Sequence, residues 1–126
     1  MRTTPWICRR AGSLAAMDVP EIDVSELAAR QGGGIALIDV RRPEEYDVVR
    51  VPGVQLIPLG ELVERIDEVP ADGTVYVICA TGARSARAVS HLLSQGIDAV
   101  NVAGGTVAWV DAGLPTDGAG SEAASG

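Results

Sequence analysis

The residue best prepared for chemistry in this sequence is Cys79, at the head of the segment Cys79-Ala80-Thr81-Gly82-Ala83-Arg84-Ser85. It follows the apolar run Val75-Tyr76-Val77-Ile78 and precedes a stretch of helical spacing. A thiol between a buried strand and a helix lies where unpaired backbone N–H groups converge and where the helix dipole favours negative charge. Gly82 permits the positive φ of a tight anion-cradling turn, Arg84 brings a permanent cation, and Ser85 offers a hydroxyl to the sulfur. From Gly73 to Ile97 the chain carries Arg84 and Arg87 but no carboxylate. An ordinary thiol with a pKa near 8.5 is about 3% ionised at pH 7. Lowering that pKa by about two units makes it about 75% thiolate, for roughly 2.7 kcal/mol. The expected species is a nucleophilic thiolate.

Other reactive residues carry less. Cys8 lies in the N-terminal head, and no Cys-x-x-Cys pair or Cys/His cluster exists. The single His91 cannot build a metal site alone and is expected to be exposed rather than to act as a base. No metal and no cofactor is therefore expected, and the sparse cysteines suit a reducing, cytoplasmic setting. Asp39 and Arg41 read as an ion pair with structural hydrogen bonds at a strand end, and Tyr46 and Trp109 read as core packing.

The elements that must position Cys79 follow from periodicity. Ile22 to Val24 reads as a short edge strand, with Ser25 as N-cap of a helix over Glu26 to Gln31 that ends at Gly32-Gly33-Gly34. Ile35 to Val40 is a buried strand, Pro43 to Tyr46 a helical turn with Pro first and acids near its positive end, and Val54 to Ile57 a second short strand. Leu62, Val63, Ile66 and Val69 fall at helical spacing and predict an amphipathic helix from Gly60 to Val69. Val75 to Ile78 is the clearest buried strand. A helix from about Ser85 presents Ala86, Val89, Leu92 and Leu93 on one face and stops at Gly96. Ala99 to Val102 is a last strand, and Gly104-Gly105 opens a final helix with Val107, Trp109 and Val110. Such alternation predicts an α/β fold of three layers, a mostly parallel central sheet with helices on both faces.

The chain has 126 residues, room for one domain. Residues 18–117 read as that domain, 1–17 as a disordered head and 118–126 as a disordered Gly/Ala/Ser tail, with Met17 read as the natural start. With two Trp, two Tyr and no Phe, the core must rest on aliphatic residues, which suits strands buried on both faces. The formal charge of −7 argues against nucleic acid and against anionic membrane surfaces as partners. No apolar run approaches the length of a membrane span.

Four segments resemble, in order, the motifs of one family. Cys79-Ala80-Thr81-Gly82-Ala83-Arg84-Ser85 is similar to the loop C-x-x-G-x-R-S of rhodanese-like, single-domain sulfurtransferases. Ile38-Asp39-Val40-Arg41 with Pro43-Glu44-Glu45-Tyr46 resembles that family's DVR…E-(F/Y) element, and Val51 to Pro58 its IPGA-x-NIP element. Gly104-Gly105-Thr106-Val107-Ala108-Trp109 with Gly113-Leu114-Pro115 resembles its closing GG…W…GLP. The resemblance implies a rhodanese-like fold. It also implies ping-pong transfer of a sulfane sulfur from a small anionic donor such as thiosulfate, through a persulfide on Cys79, to cyanide or to a thiol, a protein thiol included. The amides of Ala80, Thr81, Gly82, Ala83, Arg84 and Ser85 would hold the persulfide and the departing anion. Two positions depart from the pattern: Ala80 stands where the family often has Arg or another polar residue, and Arg50 stands where it usually has His.

Two other classes compete. A regulatory rhodanese-like module would bind a partner without catalysis. A Cys-dependent phosphatase or arsenate reductase would also use a thiolate in an anion loop, but places five residues between Cys and Arg where this chain has four, Ala80 to Ala83.

Overall fold

A computed structural model describes residues 19–119; the expectations for the head, Cys8 and most of the tail fall outside them. The chain alternates β1 (Glu21–Ile22), α1 (Val24–Gln31), β2 (Ala36–Asp39), α2 (Pro43–Val48), β3 (Gln55–Leu56), β4 (Val75–Ile78), α3 (Ala83–Ser94), β5 (Ala99–Val102) and α4 (Gly105–Asp111). The five strands form one sheet in the order β1-β5-β4-β2-β3, and every pairing is parallel. The expected α/β class and the helices on both faces are what the structure has.

Strand alternation divides the core into two layers. Ile38, Val75, Val77 and Cys79 pack on one face with Ala88, Val89 and Leu92 of α3. Leu37, Tyr76 and Ile78 pack on the other with Leu27 of α1 and Trp109 of α4. Val75 to Ile78 is buried throughout, so a continuous apolar run was the correct signature for the central strand. Trp109, 1% exposed, donates its indole N–H to the Pro115 carbonyl at 2.6 Å, which fixes the closing turn against the core. No helix among the described residues is long and apolar enough to cross a membrane.

Several local expectations are corrected. The segment between Pro58 and Pro70 is not a helix but two 3-10 turns, Leu59–Glu61 and Ile66–Glu68. Leu62 and Val69 are buried, whereas Val63 is 67% exposed. Gly60 and the β-branched Val63, Ile66 and Val69 weaken a helix there. Arg65 instead ties the turns together through Glu61, Glu68 and the Leu56 carbonyl. The N-cap of α1 is Asp23, whose carboxylate accepts from the Glu26 amide at 2.9 Å, so the helix begins before Ser25. Helix α3 begins at Ala83, and its buried face carries Ser85, Ala88, Val89 and Leu92, with Leu93 exposed. Val107 and Val110 of α4 face outward, about half exposed. His91 is half-buried rather than exposed.

Candidate active site

The sheet order places the reversal of strand sequence between β2 and β4, because the chain leaves β2 towards β3 on one side and β4 towards β5 on the other. Crevices outside the carboxyl ends of strands at such a point are where open α/β sheets bind ligands. Asp39, ending β2, is the register partner of Ile78, ending β4. Cys79 therefore follows β4 at the carboxyl edge of the sheet, beside that switch point.

The loop turns back on its own sulfur. Gly82, the N-cap of α3, has φ of +109°, and its amide donates to Cys79 Sγ at 3.1 Å. A Cβ there would also stand 3.3 Å from the Gly104 nitrogen, so glycine is required by conformation and by space. Ser85, fully buried on the first turn of α3, places its hydroxyl 3.3 Å from Sγ. Burial raises the Cys79 pKa and is the largest single influence. The Ser85 hydroxyl and the amides of Ser85, Gly82 and Thr81 together outweigh it, so the pKa is lowered from the ordinary thiol value. Cys79 itself is 1% exposed.

Of the residues singled out from the sequence, Cys79, Thr81, Gly82 and Ser85 thus meet around one sulfur atom. Ala80 and Ala83 lie on the loop with no hydrogen bond to the sulfur, and Arg84 behaves differently from expectation. Its guanidinium is held in a fork by the Glu45 carboxylate, at 2.8 and 3.0 Å. It acts on Cys79 through its field, not by contact. The Arg84 hydrogen bonds pull the Glu45 carboxyl down to a pKa of about 2. The loop is free of acids only along the chain: α2 delivers Glu45 to its mouth. Arg50, at the other departing position, lies 4.5 Å over the Tyr46 ring and bridges through its backbone to Asp117.

Three supporting residues escaped the sequence reading. Gly105, with φ of +59°, brings α4 so close that a Cβ would stand 2.4 Å from the Cys79 carbonyl oxygen. This approach lets the Thr106 amide donate to the Cys79 carbonyl at 2.8 Å and the Val107 amide to the Ala80 carbonyl at 3.0 Å. The Gly-Gly pair was legible as a helix start but not as the clamp on the Cys79 peptide. Asn101 accepts from the Ser85 hydroxyl at 2.5 Å; a polar residue in the apolar strand Ala99–Val102 was its only signal. Glu45 had a signal too, as the acid of the DVR…E-(F/Y) element. Beside the loop opens a cleft of about 220 Å³ lined by Val49, Ala80, Thr106, Val107 and Asp111 among others. Among the described residues no cluster of His, Cys, Asp and Glu is arranged to hold a metal ion.

Comparison with known proteins agrees with this geometry. A sulfurtransferase of Allochromatium vinosum is 36% identical over 100 residues, covering 77% of this chain and 94% of that protein. The protein of Mycobacterium tuberculosis named probable adenylyltransferase/sulfurtransferase MoeZ is 46% identical over 81 residues, 62% of this chain; the match spans only 21% of that longer protein. The crystal structure of a rhodanese-related protein from Thermoplasma volcanium superposes with a TM-score of 0.74 at 33% identity, covering 78% of this chain and 97% of that one. The family model for the rhodanese-like domain matches residues 23–112, from the first helix cap through the clamp helix, and on that agreement the chain belongs to the rhodanese-like domain family.

Proposed function

We propose that this protein is a sulfurtransferase that carries a sulfane sulfur as a persulfide on Cys79. The observation that carries the reading is the ring of donors from Thr81, Gly82 and Ser85 around one sulfur, which holds the Cys79 pKa below that of an ordinary thiol. In the first half-reaction the Cys79 thiolate attacks the outer sulfur of thiosulfate. The donor's S–S bond breaks, sulfite leaves with the electron pair, and Cys79–S–S⁻ remains. In the second half-reaction cyanide or a thiolate attacks the outer sulfur and Cys79 returns as thiolate. No net proton is moved when cyanide is the acceptor. Backbone amides suit this cycle because they stabilise a negative sulfur without reacting with it.

Thiosulfate here stands for a small anionic donor, and the acceptor is cyanide or a thiol. The pairing of Arg84 with Glu45 leaves the donor mainly the loop amides for its charge, which suits donors of low charge. The cleft beside Ala80 supports an acceptor with an apolar skeleton, a low-molecular-weight or protein thiol. The name of the Mycobacterium tuberculosis relative, which joins adenylyl transfer to sulfur transfer, supports a place in a sulfur relay. The cytoplasm is the compartment that fits an unpaired thiolate.

The test is thiocyanate formation from thiosulfate and cyanide, paired with intact-mass detection of one added sulfur, for wild type and Cys79→Ser. Turnover and labelling are expected in wild type, with loss of about a thousandfold or more in the variant. A second reading, a regulatory module that binds a partner, is favoured by the near-complete burial of Cys79. Absence of labelling by thiosulfate and by a small-molecule persulfide alike would establish that reading instead.

A further inference from the structure

The Ser85 hydroxyl has one proton and two acceptors. Its oxygen lies 3.3 Å from Cys79 Sγ and 2.5 Å from the Asn101 side-chain oxygen. Asn101 is 1% exposed, and its amide orientation is fixed from the other end. The Asn101 NH₂ donates to the Glu21 carboxylate at 2.9 Å and to the Gly82 carbonyl at 3.2 Å. Glu21 is the register partner of Asn101 across the β1–β5 pair, so an exposed edge-strand acid reaches the catalytic loop through one buried amide. A carboxylate at the NH₂ end polarises that amide and makes its oxygen a stronger acceptor.

We infer that Asn101, polarised by Glu21, competes with Cys79 for the single proton of Ser85 and so acts as a positioning residue that sets the reactivity of the sulfur. The competition matches the two covalent states of the transfer cycle, and in this respect the inference rests on the function proposed above. While Cys79 is a thiolate, its charge draws the hydroxyl towards sulfur. Once the sulfane sulfur is attached, the negative charge has moved one atom outward and Sγ is a neutral divalent sulfur, a weak acceptor. The proton then returns to Asn101. Ser85 follows the load on Cys79 without any change of fold. Withholding part of the hydrogen bond from the thiolate also keeps the sulfur more nucleophilic, because thiolate reactivity falls as its pKa falls.

Other charges surround the sulfur: the Glu45–Arg84 pair from α2 and α3, and the Asp39–Arg41 pair at the end of β2. The first turn of α4 is without acids. Removing the Glu21 charge therefore shifts Cys79 by two routes, through the hydroxyl or through space, and a double-mutant cycle separates them.

The experiment is the pH profile of Cys79 alkylation by iodoacetamide in the full chain, with Cys8→Ser as background. Glu21→Gln keeps an acceptor for the Asn101 NH₂ and is expected to lower the Cys79 midpoint by about 0.3 pH units, and Asn101→Leu by more. In a Ser85→Ala background the Glu21→Gln shift is expected to vanish. A shift of the same size in that background would assign the effect to the field of Glu21 and overturn the inference. So would a midpoint that stays or rises with Glu21→Gln, an exposed substitution that leaves folding intact even if Asn101→Leu does not. None of these readouts needs a sulfur donor, so a failure here and a failure of sulfur loading on Cys79 are separate results.

Discussion

Two neighbouring strand ends of this molecule handle charge in opposite ways. At the end of β2, Asp39 and Arg41 close on each other. The Arg41 guanidinium reaches both carboxylate oxygens of Asp39, at 2.7 to 3.0 Å, and also donates to the Val49 carbonyl at 2.7 Å. Both side chains are buried. At the end of β4, one strand over, Cys79 is surrounded by amides and a hydroxyl with no cation in contact. The first end pairs its charges with each other, a carboxylate against a guanidinium. The second offers donors to a thiol whose negative form they stabilise, as the proposed transfer cycle requires. A strand end at the switch point is thus a general anchoring place, and the donors that face it decide whether it becomes scaffold or site. Fixed opposite charges make a closed pair, whereas neutral dipoles leave the sulfur without a fixed partner charge.

The sharpest way to break the comparison is to open the closed end. Arg41→Met leaves the Asp39 carboxylate buried and unpaired, and a loss of about 3–5 kcal/mol is expected, read as a fall in the denaturant midpoint. In the fraction that folds, the unpaired Asp39 charge one strand away should raise the pH midpoint of Cys79 alkylation; an unchanged midpoint would mean that the two ends are electrostatically independent.

The open end should respond through geometry before it responds through charge. Gly105→Ala drives a Cβ into the Cys79 and Ala80 carbonyls at a φ of +59°. A loss of about 2–3 kcal/mol is expected from the strained backbone and displaced loop, with sulfur transfer falling more than stability does. Equal stability in the two proteins would show that α4 yields freely.

Glu45→Gln tests the charge that α2 brings to the loop. The Glu45 pKa is about 2 in the fold against an ordinary 4.5. Its stabilisation is therefore complete above about pH 4.5 and is lost as pH falls towards 2. At neutral pH the variant should be less stable by about 1–2 kcal/mol, after solvent screening of a partly exposed pair. The gap between the two proteins should close across that acid window in chemical denaturation. A gap that persists at pH 2 would place the effect in packing.

The smallest expected effect is at the hydroxyl. Hydrogen bonding from Ser85 lowers the Cys79 pKa, so the thiolate fraction rises with pH through a midpoint that the hydroxyl helps to hold down. Ser85→Ala should move that midpoint upward by about half a unit to one unit, the strength of one hydrogen bond shared between two acceptors. A downward move would mean that Asn101 takes the whole of the proton in wild type.

Much of this molecule was legible in order along the chain. The strand Val75–Ile78 announces itself because burial on both faces demands an unbroken apolar run. The loop from Cys79 to Ser85 is local, so the positive φ of Gly82 and the approach of the Ser85 hydroxyl to the sulfur could be read from the residues. The segment from Gly60 to Val69 was misread because its apolar residues fit a helix by period, while Gly60 and the β-branched residues do not hold one. What the sequence by itself determined is therefore the three-layer α/β order and the family, and it singled out Cys79 as the candidate for chemistry. Tertiary structure alone decided which residues support the loop around it. Glu45 comes from α2, Asn101 and Glu21 from neighbouring strands at opposite ends of the chain, and Gly105 from the last helix. Each depends on strand register or on a close backbone approach, and those are set by packing across the sheet rather than by any local pattern.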